Sequence, residues 1–319
     1  MITKSIVCLQ PLTSQQQETI LAAAPGYTLT LGNAKSPDLD QLARAEIVIG
    51  WGKGIADTLL QPDSPLRWVQ TWSAGVEKLP LKRLEERGIL LTNASGVHAE
   101  PITAVIIGFM LMFTRNLHTA LRNQLERKWH SDGKESELTG KTVVIAGTGS
   151  IGSETARIAK AFRMNTVGVS RSGKAVDGFD KVYTADRLQE AAGAADFLVN
   201  TLPLTDETQG LFNADLFNAC PQGAYYINIG RGATTDTEAL MSALNSGQLA
   251  GAGLDVFDPE PLPADHPLWG MEQVIITPHC AGTTDRYADR ITGLFTENVQ
   301  AYLKDGKPSR NLVDYSRQY

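Results

Sequence analysis

A guanidinium, a carboxylate and an imidazole each follow an apolar run that reads as a β-strand. Arg231 stands in Asn228-Ile229-Gly230-Arg231-Gly232, after the run 225–229. Glu260 stands in Asp255-Val256-Phe257-Asp258-Pro259-Glu260-Pro261, after the run 252–254. His279 stands in Pro278-His279-Cys280-Ala281-Gly282, after the run 274–277. Loops outside the carboxyl ends of strands are where α/β sheets bind ligands. A guanidinium can hold a carboxylate or carbonyl oxygen in planar, bidentate fashion. An imidazole can give a proton to an alkoxide developing from a carbonyl, and take it back in the reverse direction. A carboxylate on the other ring nitrogen fixes the imidazole's orientation and favours its charged form. Reduction of a 2-oxo acid needs all three groups.

The other four histidines fit the proton-transfer role less well. His118 and His130 fall in or just after the charged half of a long helical segment and read as solvated. His98 precedes that segment, near an expected crossing between domains, and keeps a minor claim. His266 lies in the turn-like Asp265-His266-Pro267. Cys280 adjoins His279, but the chemistry gives a thiol no role, so it reads as structural. Trp269 reads as a packing residue and Asp258 as a solvated loop carboxylate.

Reduction of a carbonyl also needs a hydride for its carbon, and 141–172 supplies a place for the hydride source. The strand-like run 142–146 is followed by Gly147-Thr148-Gly149-Ser150-Ile151-Gly152, a helix-like segment 153–162 and a second run 166–169. In this pattern Gly147 permits a tight turn, Gly149 allows close approach of a pyrophosphate, and Gly152 lets helix and strand pack closely. The helix N-terminus then faces the phosphate charge. An acidic side chain about 20 residues past the glycines would bond the ribose 2′-OH of NAD and repel the 2′-phosphate of NADP. No acid lies between Asn165 and Lys174. Ser170-Arg171-Ser172 stands there instead, and a guanidinium flanked by hydroxyls suits a phosphate. The expected cofactor is therefore NADP, with NAD possible.

The elements needed to position these groups alternate as strand and helix along the chain. Strand-like runs at 5–9, 28–31, 47–49, 68–71 and 89–91 are separated by helix-like segments such as 15–24 and 79–87. After a helix expected over 100–129, further runs fall at 142–146, 166–169, 181–183, 197–200, 225–229, 252–254 and 274–277. A last helix is expected over 283–304, followed by an extended tail. This alternation predicts parallel sheets with helices on both faces. The 319 residues suit two domains. The expected division is a substrate domain from 1–97 and 285–319, a dinucleotide-binding domain from 98–284, and an active site in the cleft between them.

Composition narrows the partners. A 42% hydrophobic, 20% charged chain with net charge −6 is that of a globular protein with no electrostatic reason to seek nucleic acid or anionic membrane. Three widely spaced cysteines argue against a disulfide framework or a zinc site and fit a reducing cytosol. No metal is expected. The apolar run 102–113 is too short for a membrane span and reads as a buried helix.

With these motifs in view, the chain resembles the D-isomer-specific 2-hydroxyacid dehydrogenases over nearly its whole length. The resemblance rests on the glycine motif, Leu202-Pro203-Leu204-Thr205, Asn228–Gly232 as quoted, Leu254-Asp255-Val256-Phe257 through Glu260-Pro261-Leu262, His266-Pro267-Leu268-Trp269 and Pro278–Gly282 as quoted. It implies a Rossmann domain beside a flavodoxin-like domain, and Arg231, Glu260 and His279 as the catalytic set. It implies cofactor contacts at Gly147, Thr148, Gly149, Ser150, Ile151 and Gly152, at Ser170, Arg171 and Ser172, and at Leu202, Pro203, Thr208, Ile229, Gly230, Ala281 and Gly282. Asp255 would meet the nicotinamide carboxamide. Backbone N–H groups of Ser73, Ala74 and Gly75 would hold the substrate carboxylate, and Trp51-Gly52 would shape its pocket. The long helix would serve a homodimer. Ser170 stands where NAD-using members carry Asp, which implies NADP. Glu77 and Ala104 also depart from the family pattern, without touching the chemistry. Glu260, where related formate dehydrogenases have Gln, implies a hydroxy acid. The expected function is NADP(H)-preferring reduction of small 2-oxo acids; the rivals are the same chemistry with NAD(H), or a cofactor-sensing protein without turnover.

Overall fold

A computed structural model of the chain describes residues 4–76, 78–131 and 133–315. Glu77 and the last four residues of the tail lie outside them. The chain divides into two compact units: Met1–Val97 with Thr284–Tyr319, and His98–Thr283.

Unit 1 carries strands β1 (Lys4–Cys8), β2 (Tyr27–Leu31), β3 (Ile47–Ile49), β4 (Trp68–Gln70) and β5 (Leu90–Thr92). They pair in parallel in the order β2-β1-β3-β4-β5, the doubly wound order of flavodoxin-like sheets. Helices α1 (Ser14–Ala23), α2 (Leu39–Leu42), α3 (Ala56–Leu59) and α4 (Leu81–Glu86) make the crossovers. α1 starts where it does because Thr13 and Gln16 satisfy each other's backbone N–H in a capping box. β3 and β4 are buried at every position, and β3 accordingly reads as an unbroken apolar run without alternation, while β4 ends in buried Gln70.

Unit 2 opens with α5 (Ala99–Thr114) and α6 (Leu117–Leu125). The single helix expected over 100–129 is two, bent by 71° at the break. Asn116 sits at the break with φ of 53°, a left-handed conformation that ends an α-helix and that Asn tolerates better than most residues. Packing separates the two parts as well. α5 lays Ile106, Phe109, Met110 and Phe113 into the core, whereas α6 buries no residue. Among the described residues no single helix is long and apolar enough to cross a membrane.

The sheet of unit 2 has seven parallel strands: β6 (Thr142–Ala146), β7 (Asn165–Ser170), β8 (Lys181–Thr184), β9 (Phe197–Asn200), β10 (Ala224–Asn228), β11 (Leu249–Leu254) and β12 (Val274–Ile276). Their order is β12-β11-β10-β9-β6-β7-β8. The chain winds outward from β6 to β8, returns to β9, and winds the other way to β12, so the direction reverses between β6 and β9. α7 (Ser150–Ala161), α8 (Leu188–Ala192), α9 (Ala214–Ala219) and α10 (Thr237–Asn245) are the helical connections. Alternate strand residues feed two cores. Val144, Leu198 and Tyr226 pack with Leu188, Phe217 and Leu240 on one face, and Val143, Ile145, Phe197 and Ile227 pack with Phe109, Met110 and Ala156 on the other.

α7 begins three residues earlier than the segment expected at 153–162, inside the glycine motif, with Gly149 as its N-cap. The chain then returns to unit 1 as α11 (Tyr287–Asp305), which starts later than the expected 283, after a turn in which Thr283 N–H bonds Cys280 O. α11 completes the first core: Phe295 stacks on fully buried Trp68 with ring centroids 5.0 Å apart. Trp68 Nε1–H donates to Thr92 Oγ1 at 2.8 Å, and that hydroxyl donates to Gln70 Oε1 at 2.8 Å.

The turn from β6 into α7 depends on Gly152, where an added Cβ would lie 1.9 Å from Gly147 O. Gly152→Val is expected to destabilise unit 2 by at least the ~1–3 kcal/mol typical of overpacking, read as a lower denaturation midpoint in urea.

Candidate active site

β10, β11 and β12 are parallel neighbours at one side of the unit 2 sheet, so their carboxyl-end loops emerge together. Those loops carry Arg231, Glu260 and His279. His279 Nδ1 and Glu260 Oε2 are 2.7 Å apart. The other carboxylate oxygen of Glu260 accepts the N–H of Phe257 at 2.9 Å. Partial burial pushes the Glu260 carboxyl up, but the hydrogen bonds from His279 and Phe257 and the nearby charges of His279 and Arg231 outweigh it. The net effect holds Glu260 below its ordinary value. The His279 side chain is 51% exposed, with one ring nitrogen engaged and the other ring edge open to a reactant.

Glycines bring the Arg231 loop against its neighbours. A Cβ on Gly232 would lie 2.0 Å from the carbonyl carbon of Phe257, and one on Gly230 would lie 2.5 Å from Leu202 O. The Arg231 backbone is fixed from below by a buried polar network. Asn228 Nδ2 and Thr234 Oγ1 both donate to Arg231 O, at 3.2 and 2.6 Å. Asn228 Oδ1 accepts Gly230 N–H, and Asn200 Nδ2 donates to Thr234 Oγ1 at 2.7 Å and to Tyr226 Oη at 3.3 Å. Sequence reasoning missed these residues as a group. The available signal was that β9 and β10 each end in an asparagine, Asn200 and Asn228, both fully buried.

His279 has φ of 49°, a left-handed backbone that a histidine adopts only when its surroundings enforce it. Asp255, just past the end of β11 and 2% exposed, supplies much of that enforcement. Its Oδ1 accepts Thr277 Oγ1–H at 2.5 Å and Cys280 N–H at 2.9 Å, and its Oδ2 accepts Ala281 N–H at 3.0 Å. Its backbone carbonyl accepts the N–H of His279 at 2.8 Å. Pro259 and Pro261, on either side of Glu260, both follow cis peptide bonds.

The dinucleotide motif occupies the reversal point of the sheet, at the carboxyl end of β6. Gly147 has φ of +103°, and a Cβ there would lie 2.4 Å from Thr201 Oγ1. Gly152 packs against Gly147 O as described. Gly149 is different: its φ of −74° suits any residue, and an added Cβ would meet nothing within 4 Å. No protein atom demands glycine there, whereas a phosphate group lying on that backbone would. Thr148, Ser150 and Ile151 complete the turn. On the β9 side, Leu202 and Pro203 begin a loop closed by Thr208, whose hydroxyl donates to Pro203 O at 2.7 Å. Ile229 is buried beside Gly230. β7 ends at Ser170, followed by exposed Arg171 and Ser172. Gly173 N–H donates to Ser170 Oγ and Lys174 N–H to Ser172 Oγ, so both hydroxyls brace the turn and keep their own O–H for another acceptor.

In unit 1, Trp51-Gly52 follows β3 and Ser73-Ala74-Gly75 follows β4. Trp51 is half-buried against the core, and a Cβ on Gly52 would lie 2.6 Å from Ala34 O. Ser73 Oγ–H donates to Gly75 O at 2.8 Å, Thr71 Oγ1–H and Ala94 N–H both donate to Ser73 O, and Ser73, Ala74 and Gly75 are exposed.

Three expectations change. His118 is half-buried rather than solvated, with Nδ1 3.0 Å from Met112 O and its ring edge-on to Phe113. Trp269 is more than half exposed and hangs on one hydrogen bond, Nε1–H to Pro263 O at 2.9 Å, so it is no core packing residue. Cys280 is exposed, and it is its backbone N–H and carbonyl that are used structurally.

A wholly parallel sheet that reverses direction at a glycine turn, with Arg231, Glu260 and His279 on its sheet-end loops, is the sheet architecture of a dinucleotide-binding dehydrogenase domain. Residues 107–281 match the family model described as D-isomer specific 2-hydroxyacid dehydrogenase, NAD binding domain. A glyoxylate/hydroxypyruvate reductase B from Escherichia fergusonii is 32% identical over 300 residues, 90% of this chain and 92% of that protein. The crystal structure of a D-isomer specific 2-hydroxyacid dehydrogenase family protein from Aeromonas salmonicida is 34% identical, with TM-score 0.81 over 98% of this chain and 99% of that one. That of a D-isomer specific 2-hydroxyacid dehydrogenase from Xanthobacter autotrophicus Py2, in complex with NADPH and MES, is 28% identical, with TM-score 0.80 over 99% of this chain and 100% of that one. The chain belongs to the D-isomer-specific 2-hydroxyacid dehydrogenase family, the resemblance its motifs carried.

The Glu260–His279 pair generates a pH prediction. A carboxyl held below its ordinary value stays ionised as pH falls past the ordinary range, and its contribution disappears only on further acidification. The Glu260 carboxyl signal in a carbon-13 NMR titration should therefore have its midpoint below the ~4.3 of a free glutamate. His279→Ala, which removes the first hydrogen bond to it, should move that midpoint upward.

Proposed function

We propose that this protein reduces small 2-oxo acids to D-2-hydroxy acids with NADPH, or runs the reverse oxidation. The observation that carries the reading is the 2.7 Å His279–Glu260 pair on loops adjoining Arg231. Reduction delivers a hydride to the substrate's carbonyl carbon, and the oxygen that gains charge must receive a proton. Protonated His279 donates it from the ring nitrogen not facing Glu260. Glu260 orients the ring and balances its charge before transfer, and Arg231 binds the substrate's carboxylate or carbonyl oxygen. Unit 2 then serves as the dinucleotide-binding domain and unit 1 as the substrate domain, with the N–H groups of Ser73, Ala74 and Gly75 on the substrate carboxylate and Trp51-Gly52 shaping the pocket. The cofactor supplies and accepts the hydride when bound.

The glycine turn fits a dinucleotide's pyrophosphate, since Gly149 has no packing reason to be glycine. Thr148, Ser150, Ile151, Leu202, Pro203, Thr208, Ile229, Gly230, Ala281 and Gly282 line the same sheet-end loops and are assigned to the cofactor. Asp255 keeps one unassigned acceptor position on Oδ2, which suits an N–H of a carboxamide. Preference for NADP rests on Arg171 with the free O–H donors of Ser170 and Ser172 at the tip of β7.

A homodimer through α5 and α6 is supported by Leu117, Leu121 and Leu125. They recur every fourth residue along α6 and are exposed, with fully exposed Trp129 beyond the helix. Leu121→Glu with Leu125→Glu is expected to halve the mass found by light scattering; a monomeric wild-type protein would refute the interface.

Steady-state assays over 2-oxo acids of increasing side-chain size, with both cofactors, test the function. NADPH oxidation by none of them would refute the enzyme reading. Arg171→Ala should lower kcat/KM with NADPH by roughly tenfold or more, the worth of a charged hydrogen bond to phosphate, and change little with NADH. Equal losses would refute the role assigned to Arg171. His279→Ala should collapse kcat while NADPH still binds, as read by fluorescence titration; wild-type turnover would remove His279 from the mechanism.

A further inference from the structure

The His279 loop is held on one side by Asp255, and its far end rests on a histidine that the chemistry above does not use. His98 stands immediately before α5, at its N-cap position, and is half-buried. Its Nδ1 lies 3.0 Å from Gly282 O, and a carbonyl only accepts, so Nδ1 carries the proton. The ring sits directly on Gly282: a Cβ there would come within 3.0 Å of the same nitrogen. Between the two anchors, Ala281 is buried in the core that α5 helps to build, and Thr283 N–H turns back to Cys280 O at 2.9 Å.

A four-residue stretch, His279 through Gly282, is thus tied at its first peptide by Asp255 and at its last by His98. The tie matters because His279 is left-handed. That conformation is disfavoured for a non-glycine residue and persists only where flanking contacts over-determine it. Asp255 fixes the N–H groups of His279, Cys280 and Ala281. Nothing in that set restrains the carbonyl of Gly282, and His98 does.

We propose that His98 is a positioning residue for His279, acting through the hydrogen bond from its Nδ1–H to Gly282 O. The inference rests on His279 being the proton donor. His98 touches no reacting atom in this scheme; it holds the loop so that the His279 imidazole stays within reach of Glu260 and the substrate oxygen. Misplacement of a catalytic group by ~1 Å can cost about a hundredfold in rate, so a single anchoring bond is enough to matter.

Substitutions can replace the bond without the ring. The side-chain amide nitrogen of asparagine falls near Nδ1 of histidine, whereas that of glutamine falls near Nε2. His98→Ala and His98→Gln are therefore expected to lower kcat by about tenfold or more, with KM for the 2-oxo acid changed far less, and His98→Asn to recover most of the loss. Amide hydrogen exchange of the peptide spanning 277–284, measured on the same proteins, should speed up in His98→Ala and return toward wild type in His98→Asn. The exchange measurement stands without turnover, so it tests the anchor even where the proposed activity itself fails. Wild-type kcat and exchange in His98→Ala would overturn the proposal. An asparagine variant as impaired as the alanine variant in both readouts would overturn it too, since the ring rather than its donor would then be what counts. Slower turnover with unchanged exchange at 277–284 would equally refute positioning.

Discussion

A buried carboxylate has to be given hydrogen bonds, and Asp255 takes its hydrogen bonds from one loop. Thr277, Cys280 and Ala281 donate to its side chain, while His279 donates to its backbone carbonyl. An unsatisfied buried charge costs several kcal/mol, so the loop cannot relax without stranding that group. The position of the imidazole is therefore set by the end of β11 rather than by β12, the strand its own loop follows. Glu260 belongs to the next stretch of the same β11 loop, so both members of the Glu260–His279 pair answer to one strand end. Gly232, pressed on the Phe257 peptide, adds the Arg231 loop to the same assembly.

Much of this was legible in the sequence because the constraints are local. Parallel strands buried on both faces leave unbroken apolar runs, and all twelve strands fall on runs so identified, with ends displaced by a few residues. The glycine motif spoke clearly because two of its glycines are forced, Gly147 by its positive φ and Gly152 by its contact with Gly147 O. Arg231, Glu260 and His279 stood out because each follows a strand. The sheet order then makes those strands neighbours.

What the sequence hid was decided by tertiary contacts. Leu117 through Leu125 keeps a helical pattern, so nothing in its periodicity betrayed the 71° bend at Asn116. The polar network under Arg231 was invisible because Asn200, Asn228 and Thr234 are ordinary loop-forming residues until burial makes their partners obligatory. His118 read as solvated because its neighbours are polar in sequence; in space it meets Phe113 and the carbonyl of Met112, six residues back across the helix break.

The second unit is one continuous piece of chain, whereas the first is closed by α11 from beyond it. During synthesis the strands β1 to β5 emerge first, yet Trp68 cannot be covered until Phe295 arrives. Unit 1 is thus begun before unit 2 and completed after it, with the seven strands of unit 2 made in the interval. Until then Trp68 lacks the ring that stacks on it in the folded protein. Inserting the sequence of one unit inside that of the other thus sets an order of completion that neither sheet alone would impose.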